Sequence, residues 1–174
     1  MRVLFDTDVL LDVLLEREPH VEVAEKLMAL VDNRRIEGLI CETAATTLHY
    51  VGAKVLGRNA VCEHLHTLLG VFDIAAVDRD VLQRALDANG FTDYEDAVVH
   101  EAAHSAGCNA LVTRDRAGFL KATMPVFQPI ELLAVVAARA PAAPPDPRRT
   151  DRRSLRDALG DPEQRVVAGA SEQA

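Results

Sequence analysis

Short apolar runs alternate with longer stretches of helical spacing along residues 1–138. Arg2-Val-Leu-Phe-Asp6 is an apolar run ending in a carboxylate and reads as a strand, and Val9–Glu18 follows with the spacing of a helix. In Val21–Arg34 the residues Val21, Ala24, Leu27, Met28 and Val31 recur at helical intervals and mark one face of a second helix. Gly38–Cys41 reads as a second strand. Thr43–Lys54 and Arg58–Leu69 are the next helices, the first punctuated by Gly52 and ended near Gly57. Phe72–Val77 predicts a third strand, and Arg79–Ala88 a helix that stops near Gly90. Thr92 or Asp93 then caps a helix running to Ala106, with Gly107 at its C-terminal end. Asn109–Thr113 and Val126–Phe127 supply a fourth and a fifth strand before a last helix, Ile130–Ala138. Short apolar strands separated by helices are what a parallel sheet covered on both faces requires.

The remaining residues, 139–174, carry the run APAAPPDPRRTDRR and few large apolar side chains, and read as a flexible or weakly helical tail. The expected organisation is one α/β domain over 1–138 with this appendage, which 174 residues accommodate. Charge divides the same way. Residues 1–138 hold 12 Lys and Arg against 21 Asp and Glu, whereas 139–174 hold 7 Arg against 6 acids. With 49% hydrophobic and 26% charged residues, wholesale disorder and rod-like folds are disfavoured. Aromatics are only 4% and Trp is absent, so reading single-stranded bases mainly by stacking is disfavoured too. The longest apolar runs, such as Val9–Leu15 with Asp12 inside it, fall short of the roughly 20 residues that span a bilayer. Met1–Asp12 has no signal-peptide pattern, so the expected setting is the cytosol, away from membranes. Cys41, Cys62 and Cys108 form no CxxC pair and read as small hydrophobes.

In parallel sheets functional groups gather at the carboxyl ends of strands, near the point where strand order reverses. The acids comply: Asp6 ends the first predicted strand, Asp115 follows the fourth, and Asp93 and Asp96 open the helix between the third and fourth. Carboxylates that converge repel one another unless a cation sits among them, and an all-Asp set suits Mg²⁺ or Mn²⁺. Asp8 and Asp12 read as helix caps. Two other patterns compete. His100-Glu101-Ala102-Ala103-His104 matches the HExxH string of zinc proteases, although the third histidine of the longer motif falls at Ala110. His100, one turn after Asp96, is also placed to line a metal cleft and tune it. Asp6-Thr7-Asp8 resembles the DxD start of haloacid-dehalogenase phosphatases, but the late acidic pair after a lysine is missing.

Three segments together, VLFDTDVLLDVLL, GLICETAATTLHYVGAK and FTDYEDAVVHEAAHSAGCNALVTRDRAGF, resemble the PIN-domain family of metal-dependent ribonucleases, which includes the VapC-type toxins of toxin–antitoxin pairs. The resemblance covers about residues 1–135 and implies a three-layer α/β/α fold with a short, mostly parallel central sheet. It also implies that Asp6, Asp96 and Asp115 hold Mg²⁺ or Mn²⁺, with Asp93 as a supporting carboxylate. One position departs from the pattern. Where many members carry a helix-borne Glu, this chain has Thr47, or its neighbour Thr46, and Glu42 precedes that position. A hydroxyl can orient a metal-bound water but does not ligate as an anion, so Thr47 is assigned to water positioning. The implied activity is hydrolysis of RNA phosphodiesters by metal-activated water, leaving 5′-phosphate and 3′-hydroxyl ends. Arg114, Arg116, Lys121, Lys54 and Arg58 are candidates to guide the RNA backbone. The implied partners are an RNA substrate, a small antitoxin and a second copy in a homodimer. The incomplete acid set keeps a different class open, a PIN-like protein- or RNA-binding module without catalysis.

Overall fold

The computed structural model describes residues 1–91 and 93–139. Its elements in chain order are β1 (Arg2–Phe5), α1 (Thr7–Leu14), α2 (Val21–Asp32), β2 (Glu37–Cys41), α3 (Glu42–Leu56) and α4 (Arg58–Val71). They continue with β3 (Asp73–Ala75), α5 (Arg79–Asp87), α6 (Tyr94–Ser105), β4 (Ala110–Val112), β5 (Val126–Phe127) and α7 (Pro129–Ala138). The strands pair in the order β3-β2-β1-β4-β5, all in parallel. From β1 the chain moves outward through β2 to β3, then returns to the other side of β1 to lay down β4. Strand order therefore reverses between β1 and β4, the place beyond whose carboxyl ends parallel sheets gather their functional groups.

Alternation along β1 builds a core on each face. Val3 and Phe5 join Ile40 and Val112 on the face covered by α1, α2, α4 and α7, where Leu10, Leu27, Val61 and Leu132 pack. Leu4 points the other way with Leu39 and Leu111, onto α5 and α6 through Val81, Ala85 and Ala102. Strands buried on both faces explain why the apolar runs are continuous rather than alternating. The result is the expected three-layer α/β/α arrangement.

The elements differ from the expected ones mainly at their ends. The first helix begins at Thr7 rather than Val9, because the Asp6 carboxylate accepts the Thr7 N–H at 2.7 Å and caps it. It stops at Leu14, and the chain turns at Glu16 with φ of 49°. Asp8 and Asp12 thus lie inside the helix, and the expectation that they cap it is not met. Gly52 does not interrupt α3. A Cβ there would stand 2.6 Å from Val61 and 3.0 Å from Leu14, so its bare backbone is what lets α3, α4 and α1 approach. The third strand is shorter than Phe72–Val77, since Phe72 turns inward edge-on to Phe5 and the Val77 N–H is taken by Glu42. Asp93, of the two proposed caps, serves α6 by accepting the Glu95 N–H. The three cysteines are free thiols, Cys41 buried and the other two partly so. Among the described residues no helix is long and apolar enough to cross a membrane. Apart from Arg139, the tail expected over 139–174 lies outside the described residues.

Candidate functional site

The chain leaves β1 at Asp6 and β4 at Thr113, on neighbouring strands whose Phe5 and Val112 are in register. Asp6 caps α1 at the end of the central strand, and Asp8 follows in the first turn of that helix. The Asp8 Oδ2 accepts the Arg114 backbone N–H at 2.9 Å and the Thr113 hydroxyl at 3.3 Å, fastening α1 to the loop after β4. Thr113, fully buried, also accepts the Asp115 N–H through its hydroxyl at 3.0 Å. Asp115 is exposed and draws its own loop into a turn, its Oδ1 accepting the Ala117 and Gly118 N–H groups at 3.0 and 3.3 Å. Asp96 enters from the first turn of α6. A Cβ on Gly118 would collide with its carboxylate, so only glycine lets the Asp115 loop lie against Asp96.

These acids feel one another. Burial pushes Asp6 up to about 7, and the charges of Asp8 and Asp96 push the same way against the hydrogen bonds of Thr113 and Thr7. Asp96 is pushed up to about 6, first by burial and then by the charges of Asp93, Asp115, Glu95 and Asp8. The four expected acids therefore meet in one negative field, at the topological switch point of the sheet. Asp8 belongs to that field as well, though the sequence suggested only a cap.

Thr47 stands apart from these contacts. Its hydroxyl donates at 3.5 Å to the Thr43 carbonyl of its own helix, α3. Glu42 is occupied elsewhere, its Oε2 accepting the Val77 N–H at 2.9 Å. Arg114 is turned inward rather than toward solvent, with Nε 3.1 Å from Asp12 and 3.7 Å from Asp8. Arg116 pairs with Glu131 at 2.9 Å, and Lys54 lies 3.8 Å over the Tyr50 ring. The HExxH reading is corrected. His100 is 3% exposed with both ring nitrogens engaged, by Glu101 and Thr123, whereas His104 is exposed, so the two imidazoles do not form a metal-binding pair. For the same reason His100 does not line the cleft.

Among the described residues no three His, Cys, Asp or Glu side chains stand as they are in an arrangement that holds an ion. In chemical type the set is nonetheless that of a hard cation: carboxylate oxygens, two of them held up in pKa by burial and by neighbouring carboxylates.

A family model described as PIN domain matches residues 2–117, from β1 through the Asp115 loop. The chain belongs to the PIN-domain family. The phosphatase reading of Asp6-Thr7-Asp8 is thereby set aside. This PIN domain is similar in fold to FitAcB from Neisseria gonorrhoeae, with 19% identity and a TM-score of 0.59, over 74% of this chain and 98% of that one. It is similar to FitAB bound to an IR36 DNA fragment, at 18% identity and a TM-score of 0.56, over 73% and 94% of the two chains. VapBC2 from Rickettsia felis, bound to a DNA fragment from their promoter, gives 12% identity and a TM-score of 0.59, over 74% and 98%. No curated protein matches the chain.

Proposed function

We propose that this PIN domain is a Mg²⁺- or Mn²⁺-dependent endoribonuclease acting in the cytoplasm. The observation that carries the reading is the convergence of Asp6, Asp96 and Asp115, from β1, α6 and the loop after β4, with Asp6 and Asp96 raised in pKa by burial and by the charges of neighbouring carboxylates. In this reading Asp6, Asp96 and Asp115 hold the metal after small side-chain rotations, and Asp93 adds charge from the cap of α6. The ion would supply an activated water and neutralise the scissile phosphate. The chain's own part is orientation. Thr113 and Asp8 fix the backbone around Asp115, Gly118 sets how near that loop comes to Asp96, and Thr47 would turn a bound water with its hydroxyl. Acids in excess across residues 1–138 repel RNA, so binding would depend on the metal and on cations at the rim such as Lys121 and Arg58.

The resemblance to VapC-type toxins, and the fold likeness to FitAB and VapBC2, support a toxin with a small protein antitoxin as its partner; the homodimeric state is proposed from the family resemblance alone. A second reading has one observation in its favour. No carboxylate of α3 joins the acid field, since Thr47 bonds its own helix and Glu42 caps the loop after β3. That supports a binding module without catalysis. Asp96→Asn separates the two: the nuclease reading expects Mn²⁺-dependent RNA cleavage in the wild type, abolished in the variant with the fold intact. Wild-type protein that neither gains thermal stability with Mn²⁺ nor cuts RNA would leave the binding module.

A further inference from the structure

Asp96 and His100 sit one helical turn apart on α6 and face the same loop, the stretch between β4 and β5 that carries Asp115. Asp96 meets it at Gly118, and His100 meets it at Thr123. The Thr123 backbone N–H donates to His100 Nε2 at 3.1 Å, and the Thr123 hydroxyl oxygen lies 3.1 Å from the same nitrogen. A peptide N–H can only donate, so Nε2 carries the lone pair and the ring proton sits on Nδ1, 3.0 Å from Glu101 Oε1. The other oxygen of Glu101 accepts Arg84 Nε at 3.0 Å. A continuous chain of hydrogen bonds thus runs from α5 through α6 to the loop. Phe91 leans on the imidazole at 5.1 Å and takes the edge of Phe119 at 6.3 Å.

We propose that His100, held as its Nδ1–H tautomer by Glu101, is a positioning residue that fixes the Asp115 loop against the helix bearing Asp96. The half of the loop nearer Asp115 is shaped by that carboxylate's own hydrogen bonds. The far half folds on itself, with Ala122 N–H donating to the Phe119 carbonyl, and the Thr123 bond joins it to α6. A histidine that only filled the core would need neither a carboxylate behind it nor an arginine behind that. The contact stands by itself, and its meaning for metal binding rests on the nuclease reading above.

Long-range ¹⁵N–¹H NMR of the imidazole is expected to find a pyridine-type Nε2 in the wild type, and a proton on Nε2 would overturn the proposal. His100→Gln, whose amide oxygen reaches the Nε2 position, should keep the Thr123 amide protected from exchange and Mn²⁺ affinity within about threefold of the wild type. His100→Asn, whose amide ends near Nδ1, should expose that amide and weaken Mn²⁺ binding by about tenfold or more, with kcat falling and KM for RNA little changed. If both variants lose thermal stability alike while Mn²⁺ affinity holds, His100 only packs and the proposal fails. Should His100→Asn not fold, Glu101→Leu decides: faster Thr123 exchange is expected, and unchanged protection overturns the proposal. Asp96→Asn that leaves Mn²⁺ binding intact would defeat the nuclease reading, and the tautomer and exchange measurements would still judge the loop contact.

Discussion

Arg114 Nε lies 3.1 Å from Oδ2 of Asp12, a carboxylate with no solvent exposure. The pairing is one of charge, since neither group makes a well-directed side-chain hydrogen bond there. Burial raises the Asp12 pKa more than the Arg114 charge lowers it, so the fold still disfavours the ionised carboxyl.

The two halves of this pair are therefore expected to respond unequally to mutation. Arg114→Ala strips Asp12 of its largest compensating charge and should cost about 3 kcal/mol, the low end for breaking a buried pair because the Arg114 side chain is 32% exposed. The loss should shrink as pH falls and Asp12 takes up a proton. Asp12→Asn, which no longer buries a charge, should be neutral or stabilising. Urea titrations of both variants at about pH 5 and pH 8 check this, and equal losses in the two would contradict it.

Stability of the metal-free protein should decline with rising pH. Asp6 and Asp96 titrate from 3.8 in the unfolded chain to about 7 and about 6 in the fold, so across that window the folded state holds protons that the unfolded state releases. Stability is greatest below the unfolded pKa and is lost as pH climbs through the folded values. In EDTA the melting midpoint is expected to be several degrees higher near pH 5 than near pH 8. Saturating Mn²⁺ should flatten or reverse the trend, because it binds the ionised carboxylates, and Asp6→Asn should flatten it without metal.

Gly118→Ala adds one methyl group against the Asp96 carboxylate. The loop must give way, at a cost of about 1–3 kcal/mol for overpacking, and Asp115 moves with it. Thermal shift should find the variant folded, with at least half of the Mn²⁺-induced stabilisation gone. A wild-type response would show that the loop's distance from Asp96 does not matter to binding.

Cutting the chain after Arg139 should leave the melting midpoint within a few degrees of the full-length value, since residues 140–174 lack a repeated apolar face. If the tail's arginines help capture RNA, truncation should weaken binding more at low salt than at high salt. A larger drop in the midpoint would mean that the tail packs on the domain.

Local signals made the scaffold legible: β-branched and aliphatic runs for the strands, and helical spacing with Asp93 and Gly107 bracketing α6. Asp6, Asp96 and Asp115 were legible because each lies at a strand end or helix start, where a parallel sheet exposes side chains. What was hidden depends on distant partners. Asp8 looks like a cap until the chain has returned 106 residues later to place the Arg114 N–H on it. Asp12 also looks like a cap until Arg114 of the same loop is set against its buried carboxylate. The glycine at 118 and the tautomer of His100 have no periodic signature at all, since each answers to one atom on another element. The HExxH string shows the converse: spacing brought two histidines to mind, and burial separated them.

The placement of β1 in the middle of the sheet also orders events during synthesis. Thr113, just past its neighbour β4, is made 105 residues after Asp8, and until β4 is made the central strand has only β2 beside it. At about 5–20 residues per second the ribosome spends roughly 5–20 s between the two halves of the acid cluster. On the nuclease reading proposed above, activity is therefore withheld from the nascent chain until the segment that carries Asp115 emerges. A stop between Asp96 and Thr113 would yield a fragment with Asp6 and Asp96 but without Asp115, which on the nuclease reading proposed above lacks one of the metal's ligands.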